Sequence, residues 1–144
     1  MSDAEARRRI AQDLDRSFVV EAAAGTGKTT ALIGRMIAIL RTGRARLEEI
    51  VALTFTEKAA GEMKLRLRTE LDRALESADD DVERRRFTDA LAELEAARLG
   101  TIHSFCKDLL SERPVEAGID PDAEIVDDES HELVARAFTP FFEA

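Results

Sequence analysis

Lys28 follows Gly25-Thr26-Gly27 in "AAAGTGKTT" (residues 22–30), between an apolar run, "SFVVEA", and a long apolar stretch, "TALIGRMIAIL". Those residue types in that order suit a polyphosphate. Glycines let successive backbone N–H groups turn towards an anion with no Cβ in the way. A helix starting at the lysine adds its partial positive charge. The Lys28 ammonium can reach β- and γ-phosphates, and the Thr29 hydroxyl can ligate Mg²⁺. The strict pattern is G-x-x-x-x-G-K-[ST], and Ala22 stands in its first place, at a strand exit where a small side chain suffices. Ala22, Ala23, Ala24, Gly25, Thr26, Gly27, Lys28, Thr29 and Thr30 are therefore the candidate nucleotide-binding residues. Lys28 and Thr29 would act on the phosphates, and Thr29 would also hold the metal.

Two further segments place polar side chains where a strand hands over to a helix. In "ALTFTEKAAGEM" (52–63) these are Thr54, Phe55, Thr56 and Lys58; in "GTIHSFCKDLL" (100–110) they are Thr101, His103 and Ser104. Ligand-contacting residues gather at the carboxyl ends of parallel strands. Hydroxyls and a cation can hold a phosphodiester backbone without reading its sequence, and Phe55 can stack on an unpaired base. Each has a plainer alternative: Phe55 as core, since alternation points it the way of Leu53, and His103 as a helix-capping or packing residue. Cys106, beside Phe105 and Leu109, reads as a packed core thiol, not a partner of His103. Arg7-Arg8-Arg9 reads as a solvated helix face, and Asp79-Asp80-Asp81 as a loop.

The elements that must position these groups follow from periodicity. A short charged helix is expected over 4–15, with Ala6, Ile10 and Leu14 on one face, then a buried strand over 17–22. Next come a turn at 25–27, a helix over 28–41 ending at Gly43, and a second buried strand over 49–55. Thr56 caps a helix in which Ala59, Met63, Leu67, Leu71 and Leu75 recur every four residues. "SADDD" (77–81) breaks it. A helix over 82–98 turns Phe87, Leu91 and Leu94 inward, and "LGTI" (99–102) is a third strand. Phe105, Cys106, Leu109 and Leu110 share one side of the helix after it. Beyond Pro114 the chain turns acidic, with a last helix over 129–142. Strands alternating with helices imply a parallel sheet.

The three segments together resemble the N-terminus of a UvrD/RecB/AddA-type superfamily 1 DNA helicase. In that family "AxxGTGKT" is motif I, "TFTxKAAxEM" motif Ia and "TIHSF" motif Ic, and all three occur here in that order over residues 22–105. "ARRRIAQDLDRSFVVEAAAGTGKT" and "RPVEAGIDPDAEIVDDES" resemble the RecB/AddA-like exonuclease V branch. The resemblance implies an α/β fold, a RecA-like P-loop NTPase with a partial parallel sheet flanked by helices. Residues 1–112 would be the N-terminal part of helicase domain 1A, and 113–144 the start of the helical insertion 1B. It implies ATP and Mg²⁺ at residues 22–30. It implies a single-stranded DNA path along Thr54, Phe55, Thr56, Lys58, Thr101, His103 and Ser104. Family members translocate 3′→5′ on DNA in recombinational repair, some with a second helicase–nuclease subunit. The family's adenine-contacting Gln would fall near Glu5 or Ala6, where this chain has none. "EIVDDES" (124–130) imitates a Walker B strand, but its place after "PVEAG" matches the start of the insertion. The resemblance implies an ATPase in the full-length protein and little turnover in these 144 residues alone. The competing readings are a small P-loop phosphotransferase and a non-catalytic ATP-binding module.

The bulk numbers allow this and favour no membrane. The 144 residues are 44% hydrophobic and 35% charged, with seven Phe and no Trp or Tyr, so the core must be aliphatic. The net charge of −9 argues by itself against a dedicated nucleic-acid binder. The charge is uneven, however, with basic side chains concentrated before residue 75 and acids at 79–81 and 120–132. One cysteine suits a reducing compartment. There is no signal-peptide core, and no apolar run nears ~18 residues. A cytoplasmic protein is expected.

Overall fold

The structure, a computed structural model, describes residues 2–23 and 25–120. They fall into two compact units that divide after Cys106. In chain order the elements are α1 (Asp3–Gln12), α2 (Lys28–Thr42), a 3₁₀ turn (Leu47–Glu49), β1 (Ala52–Thr54), α3 (Glu57–Glu76), α4 (Asp81–Glu93), β2 (Leu99–Thr101), α5 (Ile102–Glu112) and α6 (Pro114–Ala117). Sequence residues 121–144, including the expected helix over 129–142 and "EIVDDES", lie outside the described residues, as does Ala24.

Local chemistry sets most boundaries. The Ser2 side chain accepts the Glu5 N–H and caps α1. Gly43, in the left-handed region at φ 67°, ends α2, and the Gly43 and Arg44 N–H groups return to Leu40 O and Ile39 O. Thr56 caps α3 as expected, its hydroxyl accepting the Ala59 N–H at 3.2 Å. Asp80 caps α4 through the Glu83 N–H, and Glu83 in return accepts the Asp79 N–H.

β1 and β2 pair in parallel with Ala52, Leu53 and Thr54 opposite Leu99, Gly100 and Thr101. Helices α3 and α4 form the crossover between them; α3 packs on both strands, while α2 and α4 pack on α3. The core is the seam between these helices: Ile33, Met36 and Leu40 of α2, Met63, Leu67 and Leu71 of α3, and Phe87 and Ala90 of α4. Leu47, Leu94, Ala52 and Leu99 close its ends.

Several expectations change here. Residues 17–22 form no strand, and Val19 is 91% exposed. A strand exists only where a neighbour completes its hydrogen-bond ladder, and the two strands among the described residues pair with each other. The second strand shrinks to Ala52–Thr54, the residues that pair with β2, and Glu49 joins a 3₁₀ turn over Leu47–Glu49. The buried stripe of α3 is Ala60, Met63, Leu67, Leu71 and Ala74, with Ala59 and Leu75 only half-buried. Four residues overshoot one helical turn by about 40°, so a strict four-residue repeat drifts off the core and the true face alternates steps of three and four. Cys106 is exposed, not packed. Phe105 is half-buried, and Leu109 and Leu110 are exposed as well.

The second unit, as far as it is described, continues α5 to Glu112 and adds the single turn α6. Pro114 sits in that turn's first positions and Gly118 closes it at φ 66°.

Candidate functional site

The glycines before α2 adopt the conformations their type permits: φ is 77° at Gly25 and 89° at Gly27. A left-handed residue costs an ordinary side chain about 1–2 kcal/mol, so both turns select glycine. Gly27 is the N-cap of α2 and brings no capping side chain. The first N–H groups of a 15-residue helix therefore meet no side-chain acceptor from it, the arrangement in which a helix end attracts an anion. Thr26 braces the turn by donating its hydroxyl to Ala23 O at 2.7 Å.

The Lys28 ammonium folds back over this loop. It donates to Ala22 O at 2.6 Å and Ala23 O at 2.8 Å. Its partners are thus neutral carbonyls, not carboxylates, and the side chain stays exposed along with Thr29 and Thr30. The lysine faces an open groove of ≈ 660 Å³ whose lining includes Phe18, Val20, Leu32 and Arg35.

Two arginines fasten the approach to this loop. Arg35 of α2 donates to four carbonyls of the preceding segment: Ile10 O (2.6 Å), Asp13 O (3.1 Å), Leu14 O (3.3 Å) and Arg16 O (2.8 Å). Its guanidinium also lies 5.2 Å from the Phe18 ring centroid. Arg44, just past α2, holds Asp15 with both terminal nitrogens, one at 3.0 Å. That hydrogen bond, together with the guanidinium charge, holds the Asp15 carboxyl below the usual carboxylate range.

The second constellation lies at the carboxyl ends of the two strands, where Thr54 and Thr101 are register partners. Thr101 is only 4% exposed. Its hydroxyl donates to Glu57 Oε1 at 2.8 Å and accepts the Ser104 N–H at 3.1 Å. Ser104 returns its own hydroxyl to Thr101 O at 2.9 Å. Gly100 makes room for this: a Cβ there would stand 2.5 Å from Ser104 Oγ. Thr54 donates to Thr56 O at 3.0 Å. Around this inward network, Phe55 is 87% exposed, and Thr56, Lys58 and His103 are exposed too. Phe55 is therefore not a core residue, and Thr101 and Ser104 serve the turn's shape before any ligand.

The sequence profile of the UvrD/REP helicase N-terminal domain matches residues 3–142. The chain belongs to the UvrD/REP helicase family. Among its relatives is an ATP-dependent helicase/nuclease subunit of Ligilactobacillus salivarius, 34% identical over 116 residues, or 81% of this chain and 9% of that protein. Its namesake from Syntrophomonas wolfei is 36% identical over 118 residues, 82% of this chain and 9% of the relative. The "Exonuclease/helicase subunit RexA" of Lactococcus lactis is 33% identical over 121 residues, 84% and 10% respectively. The chain thus spans about a tenth of the length of the curated relatives it matches.

Two features of this UvrD/REP-type segment had no sequence signal. Arg7 and Arg35 bind carbonyls 19 to 25 positions away, and a long-range side chain–backbone bond leaves no periodic trace. Glu57, the variable position of "TFTxKAAxEM", supplies the carboxylate that ties the two strand-end segments together. Among the described residues no helix is long and apolar enough to cross a membrane.

Proposed function

We propose that this chain is part of an ATP-dependent DNA helicase/nuclease subunit. In this reading residues 1–112 belong to a RecA-like nucleotide-binding domain and 113–144 begin a helical insertion. The observation that carries it is the loop of residues 22–30: two positive-φ glycines, an N-cap without a side chain, and an ammonium resting on two carbonyls.

The residues present suit a metal-bound polyphosphate. The Cβ position of Gly25 has no atom within 4 Å, so a phosphate meets backbone there and no side chain. Lys28 would exchange its carbonyl partners for phosphate oxygens, and the Thr29 hydroxyl would hold Mg²⁺. The metal neutralises phosphate charge when bound. Phe55, Thr56, Lys58 and His103, exposed at the strand ends, would line a single-stranded DNA path. Thr54, Thr101 and Ser104 would hold its shape. Pairing with a second helicase–nuclease subunit is supported by the relatives' names, each of which is that of a subunit. Translocation 3′→5′, a cytoplasmic site of action and a role in recombinational repair complete the reading through the family resemblance of the three motifs.

The test is DNA-stimulated ATP hydrolysis by the full-length protein. Hydrolysis that rises with single-stranded DNA and is lost in Lys28→Ala is expected. Phosphoryl transfer to a nucleoside monophosphate, or tight ATP binding with no DNA affinity, would overturn it in favour of a phosphotransferase or a non-catalytic module.

A further inference from the structure

Arg7 lies on α1, in a run whose spacing suits a solvated face, yet its guanidinium is committed to the glycine loop. Nη2 donates to Thr26 O at 2.8 Å. Nη1 lies against Gly27, 3.3 Å from where a Cβ would stand. Nε is held by Asp3 Oδ2 at 2.9 Å, one helical turn back. Asp3 thus sets the guanidinium's orientation, and the guanidinium reaches 19 residues along the chain to one carbonyl.

The choice of carbonyl matters. In a trans peptide the C=O and the following N–H point to opposite sides. Drawing Thr26 O towards α1 therefore turns the Gly27 N–H away from α1. Lys28 does the corresponding work on Ala22 O and Ala23 O. A small recess of ≈ 100 Å³, lined by Arg7, Ala22, Thr26, Gly27, Lys28 and Ala31 among others, lies where these holds meet.

We propose that Arg7 is a positioning residue for the phosphate cradle: by holding Thr26 O it pre-orients the Gly27 amide for a nucleotide's phosphate groups, with Asp3 as its aiming partner. This rests on reading residues 22–30 as a phosphate cradle. A pre-oriented amide spares the ligand the work of ordering the loop. The bond is charge-assisted, so its loss is worth about tenfold in affinity.

The test measures ADP, ATP and adenosine binding calorimetrically in the full-length protein. Arg7→Ala should weaken ADP and ATP binding about tenfold and leave adenosine binding unchanged. Arg7→Lys, which retains a donor of similar reach, should recover part of the loss. Millimolar guanidinium added to Arg7→Ala should recover part as well, which repair of a general folding defect would not do. Asp3→Ala should cost less than Arg7→Ala, because Thr26 O keeps its donor. If Arg7→Ala binds ADP as the parent does, or its loss is recovered by neither lysine nor guanidinium, the positioning role is overturned. Lys28→Ala separates the two levels. If that variant also binds ADP like the parent, the cradle reading itself fails; if it loses binding while Arg7→Ala keeps it, only the Arg7 role fails.

Discussion

Replacing Thr101 by valine, which keeps its shape and removes its hydroxyl, tests whether the two strand-end segments are tied together. In a site only 4% exposed the hydroxyl donates to Glu57 Oε1 and accepts the Ser104 N–H, with Ser104 Oγ a longer contact at 3.3 Å. Losing the second uncaps the start of α5, worth about 1 kcal/mol. Losing the first would cost about 1.5–3 kcal/mol if fully buried. Glu57 is exposed, however, so water replaces part of what the carboxylate loses, and about 0.5–1 kcal/mol remains. The expected total is roughly 1.5–2 kcal/mol, read as a lower urea midpoint at constant slope. A double-mutant cycle with Glu57→Ala isolates the tie and should give a coupling near ~0.7 kcal/mol. Distant sites add to within about 0.3–0.5 kcal/mol. A coupling below ~0.3 kcal/mol would make Thr101 and Glu57 independent neighbours and refute the tie.

Phe87, fully buried with Arg41 5.6 Å from its ring centroid, should cost about 3–5 kcal/mol as Phe87→Ala, lowering Tm by roughly 10 °C or more; a fall under ~3 °C would contradict its place at the centre of the helix seam. Gly27→Ala should strain a φ of 89° by about 1–2 kcal/mol and press on Arg7. Gly25→Ala, with an open Cβ position, should meet the strain alone, so equal losses of ADP affinity in the two would contradict the crowding at Gly27. Arg44 depresses the Asp15 pKa in the folded chain, so the unfolded chain binds more protons as pH falls below about 4 and stability drops there. Asp15→Asn should flatten the stability profile below about pH 4, and an unchanged slope would show that the pair adds nothing. Under the proposed DNA path, Lys58→Ala should reduce the salt slope of single-stranded DNA binding by about 1; Phe55→Ala should weaken binding by about 1–3 kcal/mol with the slope unchanged, and a swap of these signatures would reverse the two roles.

What the sequence made legible was local. The start of α2 at Lys28 and its stop at Gly43, the Thr56 cap and the break at Ser77 each depend on residues within one turn, and each stands where its residue type suggests. The parallel pairing was legible too, because two helices, α3 and α4, lie between its strands and a parallel pair needs such a crossover. Non-local features were not. An apolar β-branched run such as 17–22 signals willingness to enter a sheet, whereas the ladder depends on a neighbour that no short window contains. Cys106 shares a helix face with Leu109 and Leu110, three and four residues on, yet all three are exposed: periodicity says which residues share a face, and burial needs a packing partner that no short window contains. At the glycine loop the residue types announced the turn, while its outer supports came from Arg7 on α1, in a run that read as a solvated face, and from Arg35 on α2.

The same division of labour runs through both candidate sites. At the strand ends the inward hydroxyls of Thr101 and Ser104 are used within the protein, leaving the outward Phe55, Thr56, Lys58 and His103 to face a ligand. Lys58 is a single charge beside this edge of a chain whose net charge is −9, which offers little long-range attraction for a polyanion. Under the proposed DNA path, recognition would be short-ranged, through stacking and hydroxyl contacts whose geometry the buried network keeps in register. At the loop the balance reverses. Under the proposed nucleotide site the ligand-facing groups would be backbone amides and an ammonium, and the supports are guanidiniums on carbonyls. Such supports bring positive charge near the cradle without occupying it, so they can shape the loop and favour an anion at the same time.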